Sequence, residues 1–244
     1  MEDKLPISFD ASLKNHLADN AQRVSCFSVE GQTFWVKRKE ALSLRFRLQK
    51  GNAKRSLERE REALRVFEKE GLPTPRIVAE GDDYFVVRDV GKNIMHFLAR
   101  HEEDAELRKQ VFTAAGKALS DFHLKGHCHG RPAIRDFCWD GTKIALIDFE
   151  HFDPSRIGAK ARRNDLLVFA HSALTANRGD FPELAAALGV YRQADTLGVW
   201  DDAVRFCRRM RWVDWVTKPL QWRGEGRAKE FKAIPMVFDI FGAG

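Results

Sequence analysis

Apolar and polar positions alternate through most of the first ninety residues, which predicts short strands around a single helix. Val24 to Val29 and Thr33 to Lys37 are β-rich runs on either side of Glu30-Gly31, the spacing of a hairpin. Alternation in the second run sets Lys37 and Trp35 on the face opposite Val36. From Asn52 to Glu70 the period lengthens: Leu57, Leu64 and Phe67 recur at helical spacing, and Gly71, Pro73 and Pro75 supply stop signals. Ile77 to Ala79 and Tyr84 to Val87, around Glu80-Gly81-Asp82-Asp83, predict a second hairpin, and Asp89 to Asn93 reads as a polar connector. A lobe boundary is expected near Gly91.

Beyond that point the helical period dominates. Val111 to Leu124 places Phe112, Ala115, Leu119 and Phe122 on one side. His127 to Asp140 concentrates Gly, Pro, two Cys and an Arg-Asp pair, and Ile144 to Ile147 is a short buried-strand run that delivers Asp148. From Asp165 onward the pattern is helical, with breaks expected at Arg178-Gly179-Asp180, at Gly189 and at Pro219; Arg223 to Lys229 reads as a charged surface loop. The order is therefore a β-rich front third and a helical remainder, without an internal repeat or a low-complexity tract.

Composition narrows the class. In 244 residues, 44% hydrophobic content with 18 Phe and 6 Trp supplies a core for one large domain or two small lobes and excludes a disordered chain. Met1 to Pro6 lacks a basic segment followed by an apolar one, and runs such as Leu166 to Ala170 fall far short of the roughly 18 residues of a membrane span. The expectation is a chain neither exported by that route nor transmembrane. Cys26, Cys128, Cys138 and Cys207 form no CxxC pair and are read as reduced thiols, hence a cytoplasmic setting. Lys and Arg number 41 against 35 Asp and Glu, a net charge of +6. That excess favours anionic partners, whether nucleotide, phosphorylated glycolipid, acidic membrane or RNA, without choosing among them.

Three features together suggest phosphate and metal chemistry. Lys37 ends the strand Phe34-Trp35-Val36-Lys37. Glu60 lies on the stripe Leu57, Glu60, Leu64, Phe67, so a carboxylate falls on the apolar side of a helix and needs a partner; Lys37 on the preceding strand is the natural one. Asp148 at the end of an apolar strand, with Asp136 twelve positions earlier, offers two hard oxygen ligands suited to Mg²⁺. Each also has a plainer reading: an exposed strand lysine, a glutamate edging its stripe beside Glu58, Arg59 and Arg61, and aspartates of turns and caps.

The segments Phe34-Trp35-Val36-Lys37, Glu60 to Leu64 leading to Glu70-Gly71-Leu72-Pro73-Thr74-Pro75-Arg76, Asp121-Phe122-His123, His129-Gly130, Leu146 to Glu150 and Asn164-Asp165-Leu166 run in order from about residue 24 to 172. In that order they resemble the protein-kinase-like fold, specifically the bacterial lipopolysaccharide kinase group that phosphorylates Kdo or core heptose. The resemblance implies a two-lobed α+β architecture, with a small β-rich N-lobe over residues 1–90 holding one helix and a mainly helical C-lobe over residues 91–244. It implies ATP and Mg²⁺ as cofactors and a sugar hydroxyl of a lipopolysaccharide-type glycolipid as acceptor. Lys37 would then hold the nucleotide phosphates, Glu60 would be its helix partner, Asp148 the metal ligand at the D-F-G position and Asp165 the buried residue that orders the catalytic loop.

The departures are specific. In H-R-D-L-x-x-x-N the base lies two after the His and the Asn five after the base, which puts Arg131 at the base position and Asp136 at the metal-binding Asn. Taking Asp136 as the base instead puts Gly141 at the Asn position and leaves the loop too short before Asp148. Glu150 replaces the Gly of D-F-G, a position at which lipopolysaccharide and aminoglycoside kinases vary. Asp19 to Arg23, in place of a Gly-rich loop, contain no glycine. The alternative reading is a pseudokinase or unconventional kinase-like protein that acts as a nucleotide-regulated module toward protein or RNA. His123, His127, Cys128, His129 and Cys138 crowd together, but their spacing fits no closed zinc set. Finally, Arg205 to Arg227 interleaves Phe206, Trp212, Trp215 and Trp222 with Arg and Lys. It reads either as a core helix with solvated cations or as a basic aromatic face for peripheral contact with an anionic inner membrane; nucleic acid is the weaker partner.

Overall fold

The computed structural model describes residues 4–39, 53–100, 104–155, 157–177, 179, 181–221 and 228–242. The chain forms two compact units, Met1–Val90 with Asp148–Glu150, and Gly91–Ile147 with His151–Gly244. The α+β class expected from the sequence is present: small antiparallel sheets and a predominance of helix.

The first unit contains α1 (Phe9–Asp19), β1 (Val24–Val29), β2 (Gln32–Arg38), α2 (Ala53–Lys69), β3 (Ile77–Glu80) and β4 (Tyr84–Arg88). Its antiparallel strands are ordered β1-β2-β4-β3. The first hairpin turns at Glu30 and Gly31, both at positive φ (49° and 77°), as a tight two-residue hairpin requires. Along β2 the pleat sends Phe34 and Val36, both fully buried, to one face and Trp35 and Lys37 to the other. The first face is closed by α1, whose Phe9 and Leu13 join Val29, Phe34, Val36 and Val86 in one apolar cluster. Phe9 meets Phe34 edge-on at 4.8 Å. No helix was expected before Val24; Phe9 and Leu13, with half-buried Leu17 packed against the same cluster, recur every four residues in an otherwise polar segment.

Helix α2 buries Leu57, Glu60, Ala63, Leu64 and Phe67, the expected stripe. Arg61 donates to the carbonyls of Gly81 (2.8 Å) and Tyr84 (3.0 Å), and Arg65 pairs with Glu80. The polar side of the helix is thereby tied to the β3–β4 turn. The helix start expected at Asn52 lies outside the described residues.

The second unit carries β5 (Lys92–Asn93), α3 (Ile94–Arg100), α4 (Ala105–Leu124), β6 (Phe137–Trp139), β7 (Ile144–Leu146), α5 (Ala159–Asn177), α6 (Pro182–Ala194), α7 (Val199–Met210), α8 (Trp212–Gln221) and α9 (Ala228–Gly242). Single 3₁₀ turns occupy Ile134–Asp136 and Phe149–His151. Four boundaries differ from expectation. Lys92 and Asn93, read as connector, pair with Trp139 and Cys138. Helix α4 starts earlier, at Ala105, where the Asp104 carboxylate accepts from the Leu107 amide at 2.9 Å. Helix α5 begins at Ala159, so Asp165 lies inside it and does not open it. Gly189 and Pro219 interrupt nothing: they lie within α6 and α8. In α6 the buried Leu184, Ala187, Leu188 and Tyr191 carry the helix past a glycine whose cost is only about 1 kcal/mol. Pro219 comes so near the end of α8 that few later backbone bonds depend on it. Of the loop expected over Arg223 to Lys229, residues 223–227 fall outside the described set, as do the break residues Arg178 and Asp180, while Ala228 and Lys229 are not loop but the start of α9.

Helices α4 and α6 form the main seam of this unit. Arg108 and Glu183 form a buried pair at 2.9 Å, Phe112 meets Phe181 edge-on at 5.2 Å, and His123 Nδ1 lies 2.5 Å from the Tyr191 hydroxyl. Between these contacts Gly116 faces the backbone of Ala187 so closely that an added Cβ would overlap its carbonyl. In an open helix Gly→Ala stabilises by about 1 kcal/mol. Here we expect the opposite sign: Gly116→Ala lowers the thermal midpoint, while Gly189→Ala, which meets open space, leaves it unchanged or raises it. Scanning calorimetry of the two variants checks this.

Candidate functional site

In the first unit the geometry converges on Lys37. Strand β2 carries its ammonium to the face under α2, where it pairs with Glu60 and lies 3.8 Å from Asp148 Oδ1. The three groups differ in access. The Glu60 side chain is 6% exposed, that of Lys37 20% and that of Asp148 37%, so the ammonium is held from its buried side and flanked from its open side. Burial pushes the Glu60 carboxyl above its ordinary range, with the Asp148 charge adding to the effect; Lys37 and the Phe149 backbone N–H, which donates to Glu60, pull it back in part. A carboxylate among Leu57, Leu64 and Phe67 is tolerated because both partners reach it.

Asp148 follows β7 and takes a left-handed backbone (φ 68°), a conformation that aspartate adopts more readily than bulkier residues. It turns the chain so that the Phe149 ring packs on Phe67 at 4.8 Å and Glu150 Oε2 meets Arg23 at 2.7 Å. The Glu150 carbonyl also accepts from Arg59 at 3.4 Å. Sequence reasoning treated Glu150 only as a departure from glycine and Arg23 only as part of a glycine-free loop. In the structure the two side chains form an ion pair. Trp35 was likewise placed on the correct face without a role; its indole N–H donates to Asp89 at 2.7 Å.

The second unit organises the His129–Asp136 loop around Asp165. Buried within α5, its carboxylate accepts from the backbone N–H of His129 (2.6 Å) and of Gly130 (3.1 Å), and His123 Nε2 lies 3.5 Å away. The His129 ring bonds the Ile147 carbonyl at 2.9 Å, which ties the loop to the end of β7. Gly130 takes φ 95°, and a Cβ there would approach the His151 carbonyl to 2.6 Å. Arg131 is exposed. Asp136 is buried: its Oδ2 accepts from the Ala133 N–H at 2.9 Å, its Oδ1 is 3.7 Å from Arg135, and its carbonyl accepts from the Ile147 amide at 2.9 Å. The structure thus brings Lys37, Glu60 and Asp148 together in one unit and places Arg131, Asp136 and Asp165 in the other.

The histidines and cysteines of residues 123–138 serve separate contacts. His123 goes to Tyr191, whose hydroxyl pKa burial pushes up, and His129 to Ile147. Cys128 is buried, with its thiol pushed up to about 11, chiefly by burial, and Cys138, ten residues later, is buried as well. Among the described residues, no group of three or more His, Cys, Asp or Glu side chains is arranged to hold a metal ion, and no helix is long and apolar enough to cross a membrane.

Comparison with known proteins bears on the fold and the family. A Haemophilus influenzae protein, described as uncharacterised, is 29% identical over 221 residues, 90% of each chain. ADP-bound aminoglycoside phosphotransferase APH(2'')-Ib superposes with a TM-score of 0.51 at 12% identity, covering 95% of this chain and 99% of that one; at that identity the likeness concerns the fold alone. A WbdD co-crystal with a kinase inhibitor gives a TM-score of 0.46 at 13% identity over 73% of this chain, which spans 45% of WbdD. The sequence profile of the lipopolysaccharide kinase (Kdo/WaaP) family matches residues 19–187, a span that starts where α1 ends and takes in Lys37, Glu60, Asp148 and Asp165. With the motifs in order and the protein-kinase-like fold around them, the chain belongs to the lipopolysaccharide kinase (Kdo/WaaP) family.

Proposed function

We propose that the protein transfers the γ-phosphoryl group of ATP to a sugar hydroxyl of a lipopolysaccharide-type acceptor. The observation that carries this reading is Lys37, held by buried Glu60 and flanked by Asp148. An ammonium so placed offers a fixed positive charge to nucleotide phosphates without losing its own partner. Transfer breaks the bond between the γ-phosphorus and its bridging oxygen, forms one to the acceptor oxygen as the hydroxyl proton passes to solvent, and leaves ADP with the bridging charge. Lys37 offsets that charge. Asp165 acts at a distance, by fixing the backbone of His129 and Gly130.

The donor set suits Mg²⁺, a hard ion that binds through one or two carboxylates together with substrate phosphates and not through an all-protein cage. Asp148, the more exposed carboxylate, and Asp136 are the residues that would hold it, and the ion would supply charge neutralisation at the phosphates. Asp136 comes with its geometry set by the Ala133 N–H.

Two expectations test the nucleotide site. Lys37→Ala should reduce ATP affinity at least about tenfold in calorimetric titration with Mg²⁺, with the fold retained by circular dichroism; unchanged affinity would sink the assignment. Because burial raises the Glu60 carboxyl, the charged form is lost on acidification at a pH above the ordinary glutamate value of about 4.3. Wild type should bind ATP more tightly than Glu60→Gln at neutral pH, and their affinity ratio should narrow toward one as the pH falls to that value. Protonation of ATP itself is common to both and cancels in the ratio.

One observation favours a second reading, a nucleotide-binding pseudokinase. Arg131, at the position of the catalytic base, is a permanent cation that accepts no proton. Incubation with ATP, Mg²⁺ and a lipid A-core acceptor separates the two. Acceptor phosphorylation lost in Asp148→Asn establishes transfer, whereas ATP binding without any phosphorylated product favours the pseudokinase.

A further inference from the structure

Helix α8 has no buried side chain. Trp212, Trp215 and Val216 are 59%, 76% and 54% exposed, and Pro219 is exposed as well. Their spacing of three, four and seven residues puts them on one stripe of the helix. The other side is polar and half-buried: the Gln221 side-chain amide donates to Asp214 (2.9 Å) and to Thr217 (3.0 Å), and the helix packs against α9. The aromatic stripe therefore points away from its own unit, among the described residues.

Helix α7 runs into α8 through Arg211, whose φ of −58° and ψ of −24° keep the right-handed helical conformation. The helical ladder is interrupted there: α7 ends at Met210, α8 starts at Trp212, and the Asp214 amide donates to the Arg211 carbonyl at 3.2 Å. Arg205, Arg208 and Arg209 lie in the last two turns of α7, just before Trp212, and all three are exposed. Lys218 flanks the stripe on α8. The acidic groups nearby are largely engaged: Asp202 with Arg163 at 3.3 Å and Arg205 at 3.6 Å, Asp239 with Arg211 at 3.0 Å, and Asp214 with Gln221. Asp201 lies on α7 at the end farthest from the tryptophans. The surface is thus cationic over α7 and aromatic over α8.

We infer that this face docks the protein on an anionic lipid bilayer. Two exposed indoles in one stripe are an unfavourable surface in water, and the bilayer interface is where an indole places its ring among acyl chains and its N–H among headgroups. Arginines one turn away suit the phosphates of anionic lipids, and the chain's net charge of +6 draws it to such a surface. Neither part requires the nucleotide site, so the inference stands apart from the proposed transfer reaction.

The test is sedimentation of the full chain with vesicles of phosphatidylcholine alone or mixed equally with phosphatidylglycerol. Wild type should bind the mixed vesicles, with a blue shift in tryptophan emission, and should bind phosphatidylcholine much more weakly; added salt should release it. Trp212→Ser/Trp215→Ser and Arg208→Glu/Arg209→Glu should each cut binding by about tenfold or more. Since these side chains are exposed, thermal midpoints should stay at the wild-type value. Lys37→Ala should bind vesicles as wild type does, which separates this face from the nucleotide site. The inference is overturned if wild type fails to bind the anionic vesicles, or if the variants bind them unchanged. It is equally overturned if light scattering shows wild type self-associating without lipid and the tryptophan variant abolishes that association, since a second copy of the chain would then be the occupant.

Discussion

A carboxylate on the apolar face of α2 constrains the first unit more than any other single group. Glu60 sits among Leu57, Leu64 and Phe67, where an unpaired charge would cost several kcal/mol. It is satisfied by a lysine from β2 and by a backbone N–H from residue 149. Those two partners come from segments distant in sequence, so one buried oxygen pair fixes the helix, the strand and the turn after β7 relative to each other. Its electrostatics also show that this is no stability device. A carboxyl whose folded pKa is raised contributes most stability when protonated and loses it as pH rises toward the folded value. Burial disfavours the charged form of Glu60, and the surrounding apolar contacts, Phe67 on Phe149 among them, offset that cost.

The second unit repeats the device with a different chemistry. Asp165 is buried in α5, yet its partners are the amides of His129 and Gly130, with His123 alongside. A charge that accepts backbone N–H bonds pins main chain and leaves side chains free. The loop from His129 to Asp136 is therefore rigid at its start, through Asp165, and at its end, through the bond between the Asp136 carbonyl and the Ile147 amide. Between those points Pro132 and the 3₁₀ turn at Ile134–Asp136 restrict the backbone further. Exposed Arg131 projects from a constrained segment.

How much of this was legible depended on whether the deciding contact was local in sequence. Lys37 and Glu60 were readable because a helical stripe put the Glu60 carboxylate among apolar residues, where it needs a partner, and strand alternation offered Lys37 as one. Asp165 was named through the motif around it, but its helix was begun six residues late, since Ala159 to Asn164 carry no apolar period. Gly189 and Pro219 misled for the converse reason: local propensity argued for breaks, and the apolar face of α6 and the nearness of a helix end outweighed it. The Arg23–Glu150 pair spans most of the catalytic segment in sequence, and no spacing rule reaches across such a distance. Helix α1 was missed although Phe9, Leu13 and Leu17 recur every four residues, because that short stripe stands in a mainly polar segment; its anchors join Val29, Phe34, Val36 and Val86 in the apolar cluster.

The two aspartates assigned to the metal differ in a way that bears on Arg131. Asp136 is buried, capped by the Ala133 amide and near Arg135, whereas Asp148 is more exposed, strained at positive φ and close to Lys37. In the proposed metal site Asp136 would be the ligand with little freedom, and Asp148 the adaptable one. A phosphoryl transfer with a loose transition state demands positioning and charge neutralisation more than early removal of the acceptor proton. Exchanging the base for a guanidinium removes a proton acceptor but adds a planar, permanently charged donor with a geometry that matches phosphate oxygens. On that balance the substitution alters which part of the reaction the loop assists. In the proposed transfer reaction, Arg131 would hold phosphate and would not activate the acceptor.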